Sequence, residues 1–335
     1  MGATAIRRRG LAAWQTAALA AGGATALIAA ANWLIARASG PAASPLEGDH
    51  GRYTWSHGTV AYTVKGSGEP LVLLHGVYVG ASSYEYRRLF DRLARDFRVY
   101  APDLLGFGRS DRPSLVYTPV LYEELIQDFL LQVVGAGDHP ASVVASSLSA
   151  AFAIRAAVER PGLFARLALI EPTGIEQLAD AQPSIGRTLA LDLLRSPLLG
   201  QAIYNLIASR LSIRYYLRSQ VYADPAAVSD DIVDAYYTMA HQPGARFAPA
   251  SFIAGLLNTP VSAVFALLKQ PILLCWGKDA RFTPLDGAGA FRDANPRAEL
   301  RVFDCGSLPQ AERPAELAAS VAQWVRAGSA SAWRG

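Results

Sequence analysis

An α/β fold, with a mostly parallel twisted sheet and helices on both faces, is the architecture this sequence predicts, and three observations carry it. From Gly51 onward, short apolar runs of strand type alternate with helical patterns. The alternation stops at Gly174 and the pattern stays helical to about Leu257. It resumes at Pro271, so the helical stretch is an insertion between two strands, a cap.

The elements follow in order. Gly51–Trp55 and Thr59–Lys65 read as a hairpin turning on Ser56, His57 and Gly58. Pro70–Leu74 is a buried strand, Tyr84–Arg95 a helix spaced by Leu89, Phe90 and Leu93, and Phe97–Ala101 a strand. Val120–Val134 is helical, Ala141–Ala145 a strand, Leu148–Glu159 a helix, and Arg166–Ile170 a strand. After the cap come the strand Pro271–Trp276, a helix near Leu285–Ala294, the strand Glu299–Phe303 and the amphipathic helix Pro314–Arg326.

Composition removes several function classes. With 335 residues, 51% hydrophobic and 18% charged, the chain is too long for one small module and too apolar to be disordered. A net charge of +3 leaves no basic stripe, so nucleic acid is not an expected partner. Two cysteines, Cys275 and Cys305, exclude a disulfide scaffold and a Cys-rich zinc site. Five scattered histidines argue against a His-built metal centre, and no metal or organic cofactor is expected.

The amino-terminal region has its own signal. No charged residue stands between Arg9 and Arg37. The run 11–36 is long enough, at about 1.5 Å per helical residue, to cross a hydrocarbon layer of roughly 30 Å. Trp14 and Trp33 fall near its ends, and Arg7, Arg8 and Arg9 precede it. This reads as a single-pass anchor with a cytoplasmic tail (1–10) and the main domain on the far side. A cleaved signal peptide, cut near Ala36-Arg37-Ala38, is the competing expectation. Residues 37–50 read as a linker, 51–173 and 258–328 as the two parts of the core, and 174–257 as the cap.

In open sheets of this kind, reacting groups collect at the carboxyl ends of the strands. Those ends read Leu74-His75-Gly76-Val77, Asp103 through Ser110, Ala145-Ser146-Ser147-Leu148-Ser149, and Trp276 through Arg281. A nucleophile on a sharp strand-to-helix turn needs small residues two before and two after it. Ala145 and Ser149 supply them for Ser147, whereas Ser146 would be flanked by Val144 and Leu148. The competing role for these serines is to cap the helix.

In order and spacing, these motifs resemble the α/β-hydrolase superfamily over about Gly51 to Arg326. The resemblance implies Ser147 as nucleophile, the amides of Val77 and Leu148 as oxyanion hole, and Asp279 as supporting acid. Glu171, directly after the sixth strand, is the alternative acid position. His75 is expected to be structural. The family's histidine follows the last strand, and here Ser307 stands in its slot, within Cys305 through Pro314. A serine hydroxyl near neutral pH needs a base, and a second hydroxyl is a poor one. His241, in the cap, is the candidate substitute, its competing role being that of a hydrogen-bonded structural histidine at a helix end; if it is the base, His241→Ala should abolish turnover.

Two functions are therefore expected. One is a membrane-anchored hydrolase acting through Ser147 on a small hydrophobic ester or lipid-like ligand. The other is a non-catalytic binding protein that keeps the site and has lost the proton relay. Dehalogenase or epoxide chemistry would want a carboxylate where Ser147 stands.

Overall fold

A computed structural model describes residues 22–180, 182 and 184–332. Eight strands form one sheet: β1 (Asp49–Trp55), β2 (Gly58–Lys65), β3 (Pro70–Leu74), β4 (Arg98–Pro102), β5 (Ala141–Ser146), β6 (Phe164–Ile170), β7 (Ile272–Gly277) and β8 (Glu299–Phe303). Their spatial order is β1-β2-β4-β3-β5-β6-β7-β8. β1 and β2 pair antiparallel with each other, β2 pairs antiparallel with β4, and the remaining pairs are parallel.

Side-chain alternation divides the core into two layers. Val72, Leu74, Val143, Ala145, Leu167, Leu169 and Leu274 face one layer, built with the helices Pro119–Phe129 and Leu148–Glu159. Leu71, Leu73, Val144, Ala168, Ile170 and Leu273 face the other, closed by Leu317, Val321, Trp324 and Val325 of the helix Pro314–Ala332. Leu148–Glu159 is alanine-rich and almost wholly buried, so it lies close to the sheet. Its Phe152 stacks on Tyr122 with ring centroids 5.0 Å apart.

Between β6 and β7 the chain leaves the sheet and forms the cap. Its helices Ile185–Arg195, Arg210–Tyr216 and Asp230–Ala240 start at Ser184, Ser209 and Ser229, whose hydroxyls accept the Arg187, Ser212 and Ile232 amides. Leu199–Ile207 and Phe247–Ile253 complete the layer.

One expectation about the elements needs correction. The helix expected over Tyr84–Arg95 is broken into a short 3-10 turn, Ser83–Tyr86, and one helical turn, Phe90–Leu93. Tertiary hydrogen bonds outbid helix propensity here: the Ser83 amide donates to Asp103 Oδ1 and Glu85 is drawn into the interior. Within the stretch read as a linker, Ser39 and Leu46 are buried, most other residues are exposed, and Asp49 and His50 already belong to β1.

Of the expected span 11–36, residues up to 21 lie outside the described residues, as does the tail 1–10. The described remainder is helical over 22–38. Among the described residues, no helix is long and apolar enough to cross a membrane. Ile28, Asn32 and Ile35 form its half-buried side. Asn32 donates to the Leu198 carbonyl at 3.2 Å and accepts from Asn205 Nδ2 at 2.9 Å, which docks the helix on the cap.

Candidate active site

Ser147 stands between β5 and the helix Leu148–Glu159 with φ 53° and ψ −124°. An L residue adopts that geometry only under strain, on the order of 1–3 kcal/mol. Its amide donates to the Ile170 carbonyl at 2.8 Å, which fixes the turn against β6. Its hydroxyl does not cap the helix, and neither neighbour does either. Ser146 Oγ lies 3.4 Å from Gln310 Nε2, and Ser149 Oγ donates to the His75 carbonyl at 2.5 Å. The residue two after Ser147 is thus a brace as well as a small residue. The capping role weighed for these serines is not the one they play.

The Leu148 amide opens the helix and has no intrahelical acceptor. The Val77 amide, in the loop after β3, likewise has no protein acceptor among the described residues. His75 is fully buried in that loop: Nδ1 donates to the Gly76 carbonyl at 2.7 Å, and Nε2 accepts from the Leu104 amide at 3.0 Å. Both ring nitrogens are engaged in holding loops.

The carboxylate that reaches the site is Glu171. It follows β6 directly, is buried, and also has a positive φ of 43°. The Gly277 amide donates to Oε1 at 3.0 Å and the Thr283 hydroxyl to Oε2 at 2.6 Å. Burial outweighs these bonds and pushes the carboxyl up to about 8, with Glu312 adding to the rise and Ser307 opposing it. Asp279 is exposed; its amide donates to the Cys305 carbonyl at 2.9 Å, but its side chain lines neither cavity at Ser147.

Ser147 lines two adjacent spaces that share several wall residues. A small chamber of about 50 Å³ has Ser146, Ser147, Glu171, Thr283 and Ser307 on its polar side and Leu217, Val221, Phe282 and Leu308 on its apolar side. Ser307 Oγ is buried in it without a hydrogen bond of ordinary geometry. Beyond it lies an apolar cavity of about 250 Å³ under the cap, walled by Val77, Ile207, Ile213, Leu217, Phe252 and Phe282. Tyr78, Tyr216 and Tyr236 border both spaces. Burial raises the pKa of all three phenols, which stay neutral.

His241 is not brought to Ser147. It ends the helix Asp230–Ala240, donates from Nδ1 to the Tyr237 carbonyl at 2.9 Å, and lines a separate cavity beneath the helix 22–38. A cap residue reaches Ser147 only from the cap's inner face, and His241 lines a cavity on the other side, under the helix 22–38. Burial lowers its pKa, and its Nε2 has no partner.

Sequence reasoning missed a buried polar cluster behind the site. Glu85 Oε2 accepts the Gly76 amide at 2.9 Å and the Tyr78 hydroxyl at 2.8 Å, while Oε1 accepts from Gln310 Nε2 at 2.5 Å. No local signal marks it, since Glu85 stands in a stretch that also carries Arg87, Arg88, Asp91 and Arg92. Glu312 was visible only as a motif match; it accepts the Gly306 and Ala223 amides, each at 3.0 Å, clamping the Ser307 loop to the cap.

Comparison with known proteins agrees with this geometry. Residues 71–320 match the sequence profile of the alpha/beta hydrolase family. A 2-hydroxymuconate semialdehyde hydrolase from Pseudomonas sp. (strain CF600) is 27% identical over 279 residues, covering 80% of this chain and 90% of that protein. Among solved structures, a serine hydrolase involved in carbazole degradation superposes with a TM-score of 0.69 at 21% identity, over 83% of this chain and 98% of its own. A bacterial membrane phospholipase A superposes with a TM-score of 0.66 at 21% identity, over 96% of this chain and 98% of its own.

Proposed function

Because the chain belongs to the alpha/beta hydrolase family, we propose that it is a serine hydrolase of esterase or lipase type, acting on a hydrophobic acyl ester. One observation carries the reading: an uncapped hydroxyl on a strained elbow, opening onto an apolar cavity. Ser147 Oγ attacks the acyl carbon, and the Leu148 and Val77 amides receive the oxyanion. The acyl chain fills the cavity of about 250 Å³, slightly below the roughly 300–1,000 Å³ of sites for drug-sized ligands. No arginine or lysine lines either space among the described residues, which favours a neutral ester over a substrate with free carboxylates.

The reading extends to a membrane-held enzyme whose domain lies outside the cytoplasm. Its support is the uncharged run 11–36, together with exposed apolar side chains on the helix 22–38 and the cap, among them Leu27, Trp33, Leu206, Leu211 and Tyr215. Likeness to the membrane phospholipase A, which spans nearly the whole chain, fits the same picture. Association that resists carbonate washing, with an intact amino terminus, is the expected result; a clipped, soluble product would replace the anchor with a signal peptide.

Fluorophosphonate labelling of the full-length protein tests the chemistry. Labelling and p-nitrophenyl butyrate hydrolysis are expected in the parent, with a loss on the order of 10³-fold or more in Ser147→Ala. A second reading, a binding protein without turnover, is favoured by Ser307 in the place of the family's histidine. A folded parent that stays unlabelled at every pH would establish it.

A further inference from the structure

We infer that Glu171 does the work of the absent imidazole: through one water held in the chamber between Ser147, Glu171 and Ser307, its carboxylate accepts the proton of the Ser147 hydroxyl. This rests on the hydrolase reading above and goes beyond it by naming the base.

Placement comes first. Ser147 and Glu171 each follow the last residue of neighbouring parallel strands, and Ser146 and Ile170 are direct partners in the β5–β6 ladder. Described non-glycine residues with positive φ are Ser147, Glu171 and Leu178, so two of the three strained positions face each other across this chamber. Such strain persists where surrounding structure holds a side chain for a purpose, and both side chains here open on the same space.

Size comes second. The chamber of about 50 Å³ exceeds the roughly 10–15 Å³ that one water needs, and its wall offers more than the two polar partners a bound water requires. Ser307 Oγ, buried, without a hydrogen bond of ordinary geometry and close enough to Glu171 to favour its charged form, is one such partner; the Ser147 hydroxyl and the Glu171 carboxylate are others. A histidine at 307 would occupy this space with its ring, and a serine leaves it to solvent.

The competing groups are otherwise committed. From the cap, Tyr216 and Tyr236 face the chamber as neutral phenols. From the loop after β8, Cys305 is a thiol whose pKa burial raises, and Glu312 is held by two backbone amides. From the loop after β7, Thr283 donates to Glu171 itself. An ordinary carboxylate is too weak a base for a hydroxyl, but burial brings this one to about 8, close to the range in which general bases work.

The reaction balances without any further reagent. The Ser147 proton passes to the water as the water passes a proton to Glu171. The Oγ–C bond forms, and the carbonyl π pair moves to the oxygen held by the Leu148 and Val77 amides. Collapse breaks the C–O bond to the alcohol, which takes its proton back from Glu171 along the same path. A second water repeats the sequence on the acyl-enzyme, releasing the acid and restoring Ser147.

The test is the pH dependence of fluorophosphonate labelling and p-nitrophenyl butyrate hydrolysis by the full-length protein. In the parent, both rates should climb through pH about 8 and then level. Glu171→Gln should lose about 100-fold or more and its pH dependence with it. Ser307→His, which places an imidazole between the two groups, should exceed the parent by about 100-fold at neutral pH and move the midpoint towards 6.5. Glu171→Asp, which keeps the charge but withdraws it from Thr283, should stay active with a displaced midpoint. A Gln variant with the parental rate and midpoint, or an Asp variant with an unmoved midpoint, overturns the assignment of the base while leaving the hydrolase reading standing. A parent silent at every pH beside a labelled Ser307→His variant overturns both.

Discussion

Two carboxylates stand at the ends of neighbouring strands, and they could hardly differ more. Glu171, just past β6, is sealed from solvent, bent into a left-handed backbone, and bonded to Gly277 and Thr283. Asp279, just past β7, projects into water and is tied down only through its amide. A charge in bulk water is screened, and one at a buried wall is felt more strongly by whatever faces it. Order along the chain therefore nominates an acid, but burial decides which one acts on the nucleophile. The family resemblance favoured Asp279, and the packing favours Glu171.

The comparison can be broken most directly through stability. Glu171 binds a proton in the folded protein up to about 8, whereas the unfolded chain releases it near 4.5. Between those values the folded state holds the extra proton, so stability falls as pH rises and is lowest above pH 8, by an amount on the order of 5 kcal/mol. Glu171→Gln should remove most of that slope and be more stable than the parent at pH 9, read by urea or thermal unfolding. Burial also raises Glu123 and Glu312, which keep a smaller slope of the same sign. A Gln variant as pH-sensitive as the parent would mean that burial sets no ionisation cost on Glu171.

A smaller effect is expected from Thr283→Val. Its hydroxyl favours the charged form of Glu171, so deleting it should raise the midpoint of the activity profile by about one pH unit. Asp279→Asn should do least: activity within about twofold and stability within about 0.5 kcal/mol of the parent, as for other exposed side chains. A large loss of kcat in Asp279→Asn would reverse the ranking of the two acids.

Much of the fold was legible because its signals are local. Strand and helix periodicities survive in single segments, and the small residues around Ser147 mark the elbow without any partner. What escaped reading depends on contacts distant in sequence. Nothing near Tyr84–Arg95 announces that Asp103 will take the Ser83 amide and interrupt the helix. Nothing near His241 says on which face of the cap its ring will emerge, and it emerges beside the helix 22–38. Thr283 carries no local signature at all, since its importance lies in pointing at a carboxylate more than a hundred residues away.

Ser149 carries a last consequence. Its hydroxyl fastens the first turn of the elbow helix to the backbone of His75, two residues before Val77, whose amide is the second proposed oxyanion donor. The gap between the two donors is thereby set by a single rivet instead of by the independent wanderings of a turn and a loop. Whatever molecule carries its negative charge there meets a spacing decided before it arrived.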